Sequence, residues 1–387
     1  MPVKIGAERL LENPGLVPGQ RWGLITNYTA ILANLELSAV ALHREHGTVA
    51  AILGPEHGLR GTAQAGHAES ADRDPQTGLP VLDTYGLTDD KLDEAIEALN
   101  LDALVADIQD VGARFYTYVW TVVDCMRSAA RLGIPFYVLD RPNPLSGAVV
   151  EGPGIAPGFE SFVGRSNIPI RHGLTIGELA RECSARDSAD GLASAPVEVI
   201  AMEGWSREMY MEDTGLPWVM PSPNLPTVDT ALVYPGTALF EGTTMSEGRG
   251  TTRPFELVGA PWLRESFATA LNSRSLPGAA FRPAWFVPTF QKHEGEPVCG
   301  SQLYVTDREA FRPVLTGVTM LEIAHEISGE QLVWRRPEWE SEQVRRPFAD
   351  LLWGSPVLRD GIDGGCGALE IISRSPAPRP YLAPQIY

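Results

Sequence analysis

Glu56, His57 and Arg60 stand within five positions of one another, fenced by Gly54, Gly58 and Gly61. A carboxyl can hand over a proton, an imidazole can orient a hydroxyl, and a guanidinium can hold an anion. The apolar run Val49-Ala50-Ala51-Ile52-Leu53 precedes them and reads as a buried strand. Glycine tolerates φ > 0 and close approach of a ligand to the backbone. The segment therefore reads as a loop that holds a polar substrate and moves a proton on it. Glu56 is the candidate general acid, with His57 and Arg60 as substrate contacts.

Other polar segments offer partners. In Asp107-Ile108-Gln109-Asp110-Val111-Gly112-Ala113-Arg114, the side chains of Gln109, Asp110 and Arg114 are candidates for ligand contact. Asp110 and Arg114 would instead pair with each other if the turn runs into a helix. Tyr116 can stack on a ring or plug the core. Asn27 follows an apolar run near the N-terminus. Arg141 and Asn143 lie in Asp140-Arg141-Pro142-Asn143-Pro144, where two prolines stiffen the backbone, and they are candidates for sugar hydroxyls. Further on come Ser222 and Asn224, then Glu241, Thr243, Glu247, Arg249 and Arg253 among glycines and threonines. Arg249 and Arg253 suit a carboxylate, which a guanidinium can grip with two parallel hydrogen bonds. The sequence has no G-x-x-x-x-G-K-[ST], H-E-x-x-H, G-x-S-x-G or strand-following G-x-G-x-x-G, so phosphate-loop, zinc-protease, serine-hydrolase and dinucleotide chemistry have no support. No metal and no cofactor are expected.

The elements that must position these residues alternate. Strands are expected at Trp22 to Asn27, Val49 to Leu53, Leu101 to Ala106 and Ile134 to Leu139. Helices between them carry apolar residues at Leu35, Ala39 and Leu42, at Leu92, Ala95, Ile96 and Leu99, and at Val119, Val122, Val123, Met126 and Ala130. Such alternation implies right-handed crossovers and a Rossmann-like, doubly wound parallel sheet in an α/β domain. Ligands bind beyond the carboxyl ends of such strands, where all four polar loops of the first half fall. Past residue 150 the pattern loosens. A helix is expected at Ile176 to Cys183, a strand at Val197 to Met202, strand-like pieces over Phe281 to Thr306 and a helix at Leu315 to Ile327. The reading is a catalytic domain over 1–150, a smaller α+β substrate domain over 151–387, and a cleft between them.

Composition sets outer bounds. A net charge of −18 over 387 residues repels nucleic acid and anionic membranes. No run approaches the roughly 20 apolar residues that a spanning helix needs, and Met1 to Gly6 shows no apolar leader, so a cytoplasmic protein is expected. The four cysteines are scattered without a C-x-x-C pair, which is neither a zinc framework nor a disulfide scaffold. An anionic substrate would require arginines that reverse the field locally.

Longer blocks carry a resemblance. GLITNYTA, GPEHGLRG, DIQDVGARFYTYVW, VLDRPNPLSG, IPIRHGLTIGELA, GLPWVMPSPNLPT, YPGTALFEGTTMSEGRGTTRPFELVGAPW and FRPAWFVPTFQKHEG together resemble the bacterial exo-β-N-acetylmuramidases, formerly a domain of unknown function. The resemblance implies release of N-acetylmuramic acid from the non-reducing end of peptidoglycan-derived glycans in cell-wall recycling. It also implies a Rossmann-like N-terminal domain, a smaller C-terminal domain and an intervening cleft, with the EHG glutamate, here Glu56, as catalytic acid. Tyr28-Thr29-Ala30 and Thr244 depart from the family's usual residues, which bears on substrate preference rather than reaction class. Glycoside hydrolysis generally uses a second carboxylate, for which Asp110, Glu241 and Glu247 are all candidates. The lactyl carboxylate of muramic acid gives Arg60, Arg249 or Arg253 a purpose. The alternative is a non-catalytic muropeptide- or sugar-binding protein that uses the same cleft.

Overall fold

The computed structural model describes residues 2–56, 58–61, 73–87, 89–328, 331–336 and 346–387. His57 lies outside the described residues. The first half runs α1 (Gly6–Glu12), β1 (Trp22–Thr26), α2 (Ser38–His46), β2 (Val49–Gly54), β3 (Val81–Asp83), α3 (Asp89–Glu97), β4 (Ala103–Asp107), α4 (Tyr118–Leu132), β5 (Phe136–Leu139), α5 (Ile176–Ala189) and β6 (Val197–Ile200). These strands form one six-stranded sheet in the order β3-β2-β1-β4-β5-β6, with every neighbouring pair parallel. This is the doubly wound arrangement expected from the alternation.

Local signals explain the elements. Each residue of β1 and β4 is buried, as strands covered on both faces must be. Gly47 ends α2 in the left-handed region at φ 65°, where a Cβ would be strained. Thr175 begins α5 with a capping box, its Oγ1 accepting from Glu178 N while the Glu178 carboxylate accepts from Thr175 N. Helices α1 and α2 cover one face of the sheet, where Leu10, Leu42, Val49 and Ile52 share a core. Helices α3, α4 and α5 cover the other.

Two features depart from the expectation. The edge strand β3 was not foreseen, because three half-buried residues are too few to show a period. Helix α5 and strand β6 complete the same sheet, so the boundary expected at residue 150 falls inside the parallel-sheet layer. The crossover from β5 to α5 is long and irregular over 140–175, which hides the continuing alternation.

The second half contains α6 (Val228–Thr237), β7 (Leu257–Ala260), α7 (Ser266–Ser273), β8 (Ala279–Phe286), β9 (Val298–Val305), α8 (Pro313–Ser328), α9 (Phe348–Trp353), α10 (Val357–Asp363) and α11 (Ala368–Arg374). Its sheet is antiparallel and three-stranded, in the order β7-β9-β8. Helices α6 and α8 meet through Gly236 and Gly317, where a Cβ on Gly236 would stand 1.9 Å from the Pro313 carbonyl oxygen. Val119, Trp120, Phe255, Val318 and Leu352 belong to one continuous core, which fastens the two halves together. Among the described residues, no helix is long and apolar enough to cross a membrane.

Candidate active site

A cavity of ≈ 630 Å³ opens between the carboxyl ends of the parallel strands and the second half of the chain. Glu56 enters it two positions beyond β2, Thr84 to Leu87 beyond β3, and Phe115 to Thr117 beyond β4. Ser222, Leu225, Tyr234, Glu241, Arg249 and Phe255 form the facing wall. Glu56 is 7% exposed. Its Oε2 accepts a hydrogen bond from Thr117 Oγ1 at 2.6 Å. Thr117 occupies the N-cap of α4 without spending its hydroxyl on the helix, so that hydroxyl is available to orient the carboxylate. Tyr116, Tyr234 and Phe255 meet edge to face nearby, with centroids 6.1 Å and 4.8 Å apart, and build an aromatic wall.

The facing wall carries a charge network. Arg249 Nη2 donates to Glu241 Oε2 at 3.2 Å, and Arg249 Nε lies 3.3 Å from Glu247 Oε1. The guanidinium also sits 5.1 Å above the Phe255 ring. Lys292 pairs with Glu247 at 2.5 Å and donates to the carbonyls of Phe240, Thr243 and Met245 at 2.8, 3.0 and 2.6 Å. Burial raises the pKa of Glu241, with Arg249 opposing it. Burial also acts to raise that of Glu247, but the Lys292 and Arg249 cations outweigh it and hold the carboxyl below its ordinary value. The two acids of this loop are thus pushed apart, which is how neighbouring carboxyls take different roles.

Residues 22–229 match the N-terminal domain of the exo-β-N-acetylmuramidase NamZ, and residues 232–377 match the C-terminal domain. The chain belongs to the NamZ family. It is 44% identical over 374 residues to the peptidoglycan β-N-acetylmuramidase NamZ of Bacillus subtilis strain 168, covering 96% of this chain and 87% of that one. Two crystal structures of DUF1343 family proteins from Bacteroides fragilis NCTC 9343 are also similar. One superposes with a TM-score of 0.82 at 33% identity, over 92% of this chain and 90% of that one. The other gives 0.73 at 29%, over 97% and 94%.

Within this NamZ-family chain the structure brings together Glu56, Tyr116, Ser222, Glu241 and Arg249 at the cavity. Glu247 stands behind Arg249 rather than on the lining. Asp110 is also absent from the lining: its Oδ2 accepts from Gly112 N at 2.9 Å and lies 3.2 Å from His172 Nε2. The polar loops after β1, β4 and β5 largely satisfy one another. Asn27 accepts from Thr29, whose Oγ1 accepts from Gln109 N; Gln109 Nε2 donates to the carbonyls of Asp110 and Pro142. Arg141 grips Asp107 with two hydrogen bonds of 2.5 and 3.0 Å, and Asn143 bridges Leu174 O and Leu145 N. This mesh fills the crevice at the strand-order reversal between β1 and β4, so the cavity lies to one side of it.

The remaining candidates lie off this cavity. Arg114, wholly buried, donates to the carbonyls of Pro153, Ile168, Leu352 and Trp353, which ties the β4 loop to α9. Burial lowers its pKa to about 9. The alternative reading, an Asp110–Arg114 pair, is not what forms: Arg114 is spent on these carbonyls. Thr243 donates to Phe240 O at 2.9 Å. Arg60 pairs with Asp74 beside a smaller cavity, Arg253 pairs with Glu256 at 3.0 Å, and Asn224 is buried off the lining.

Sequence reasoning missed Thr117, Tyr85, Asp124, Arg165, Phe162, Phe348 and Lys292. One signal was available for two of them. Thr117, Thr121 and Asp124 recur at helical spacing along α4, and all three line the cavity. Among the described residues, no group of three or more His, Cys, Asp or Glu side chains is placed to hold a metal ion.

Proposed function

We infer that this protein is a glycosidase that releases N-acetylmuramic acid from the non-reducing end of peptidoglycan-derived glycans. The observation that carries the reading is Glu56, held by the Thr117 hydroxyl inside a cavity whose facing wall presents Glu241 and Arg249. The family assignment supports the reaction class. Glu56 delivers its proton to the glycosidic oxygen as the C1–O bond breaks, and the leaving sugar departs as an alcohol. The oxocarbenium-like centre left at C1 needs a negative neighbour. Of the three acids considered from the sequence, Glu241 is the one that lines the cavity. Water supplies the hydroxyl at C1, and its remaining proton restores Glu56. Arg249 offers a guanidinium to the lactyl carboxylate, and Tyr234 and Phe255 offer apolar faces to the sugar ring. A receptor that only bound an anionic sugar would gain nothing from two carboxylates in its cavity.

The test is Glu56→Gln against a chromogenic muramide. Loss of a general acid costs roughly 10²–10⁴-fold in turnover. A correctly folded variant that works at the wild-type rate would remove Glu56 from the chemistry.

A further inference from the structure

The cavity has two chemically separate ends. The inner end gathers Glu56, Tyr234, Glu241 and Arg249, close enough that the charges of Glu241, Arg249 and Glu56 all act on Tyr234. The outer end is built by Asp124 on α4 and Arg165 in the β5–α5 crossover, paired at 2.9 Å. The charges that act on Asp124 are those of Arg165, Arg127, Asp89 and Arg131, none of them from the inner group. Asp124 lies seven positions along α4 from Thr117, the residue that holds Glu56, which is about 10 Å of helix rise. The side chains of Asp124 and Arg165 are 18% and 26% exposed; at the inner end Glu56 is 7% exposed and the side chains of Arg249 and Glu241 are 12% and 21% exposed, so taken together the outer end is the more open one.

Resting on the glycosidase reading above, we propose that the Asp124–Arg165 pair is the binding site for the sugar on the leaving side of the scissile bond, and that it selects a neutral acetamido sugar there. An exo-acting enzyme encloses the terminal residue at the closed end and lets the rest of the chain leave through the open one. The chemistry of the pair fits a neutral ring. Asp124 and Arg165 cancel each other's charge, so together they do not draw an anion. They present acceptor and donor atoms side by side, as a ring bearing hydroxyl and amide groups requires. The Arg165 Nε–H is buried and has no hydrogen-bond partner among the described residues, which leaves a donor unspent. Phe162 and Phe348 line the same cavity with rings 6.4 Å apart and nearly parallel, at 6°. Their faces suit the apolar C–H surface of a pyranose.

The test compares two substrates that share the reacting residue: an aryl muramide and a disaccharide of muramic acid linked to a neutral acetamido sugar. The Asp124→Ala/Arg165→Ala double variant removes both charges at once and so avoids a lone buried ion. The ratio of kcat/KM for the disaccharide over the aryl muramide should fall at least about tenfold, the cost of losing one or two hydrogen bonds to charged groups. Should the double variant melt early, Asp124→Asn and Arg165→Gln are read by the same ratio. An unchanged ratio overturns the proposal. An active Glu56→Gln enzyme would instead overturn the underlying glycosidase reading, whatever the ratio does.

Discussion

Replacing Lys292 by methionine should cost more stability than its position on a loop suggests. The ammonium is 12% exposed, pairs with Glu247 at 2.5 Å and donates to the carbonyls of Phe240, Thr243 and Met245. Methionine fills a similar volume but donates nothing. Three buried carbonyls lose a partner, and the Glu247 carboxylate keeps only Arg249. Breaking a buried ion pair from one side costs about 3–5 kcal/mol, because the charge left behind is uncompensated. For a chain of this length that is a fall in Tm of about 4–6 °C. The pH dependence has a definite sign. Lys292 and Arg249 hold Glu247 below its ordinary pKa against the effect of burial. Its stabilising contribution is therefore complete above the unfolded value of about 4.3 and is lost as pH falls through the lower folded value. The gap between wild type and Lys292→Met should accordingly narrow in acid. Adding Glu247→Gln to Lys292→Met should recover part of the loss, since residues in direct contact couple by about 0.5–3 kcal/mol. Thermal melts of the three proteins at neutral and acidic pH decide the matter. A Lys292→Met protein that melts with the wild type, or a gap that widens in acid, would refute the reasoning.

Two further substitutions probe separate links. Thr117→Val deletes the 2.6 Å hydrogen bond to Glu56, and losing a bond to a charged group costs about 1.5–3 kcal/mol, or roughly 10–100-fold in kcat/KM. Thr117→Ser should retain most activity, and a Thr117→Val enzyme with unaltered kinetics would show that the hydroxyl does not position the acid. Gly236→Ala would drive a Cβ to within 1.9 Å of the Pro313 carbonyl oxygen; backbone on both sides of this contact leaves little room to relax, so the cost should reach ~3 kcal/mol. An unchanged Tm would mean that α6 and α8 separate easily.

The layers of the fold were legible because buried parallel strands are continuous apolar runs and the helices between them end at visible signals such as Gly47 and Thr175. The placement of Glu56 followed from the same logic, since a residue just past β2 must sit at the carboxyl edge of the sheet. What spacing cannot show is whether a polar residue on that edge faces a ligand or another loop. Arg141 meets Asp107 from 34 positions away, and Arg114 reaches the Leu352 carbonyl across 238. Both look like binding residues in the sequence, and both spend their hydrogen bonds inside the protein. Asp124 shows the reverse error. On a helix that also carries Thr121, Arg127 and Arg131 it passes for one more solvated side chain, yet it lines the cavity, where burial against the opposing pull of Arg165 raises its pKa to about 6.

Charge remains the central problem for a protein of net charge −18 that is to hold an anionic sugar. The three arginines expected to reverse the field do not share the work. Arg60 and Arg253 are paired with Asp74 and Glu256 away from the main cavity, and Arg249 alone lines it. Counting Glu56, Glu241 and Glu247 against Arg249 and Lys292, the fully ionised inner cluster carries three negative charges and two positive ones. A lactyl carboxylate would meet net repulsion there. The general acid resolves the conflict: Glu56 must hold a proton in order to deliver it, and a neutral Glu56 makes three against two into two against two, with Glu241 left as the negative neighbour of C1. Arg249 is held between Glu241 and Glu247 and lines the cavity, where the proposed contact with the lactyl carboxylate falls. Lys292 and Arg249 together hold Glu247 below its ordinary pKa, and Glu247 in turn anchors Arg249 from behind.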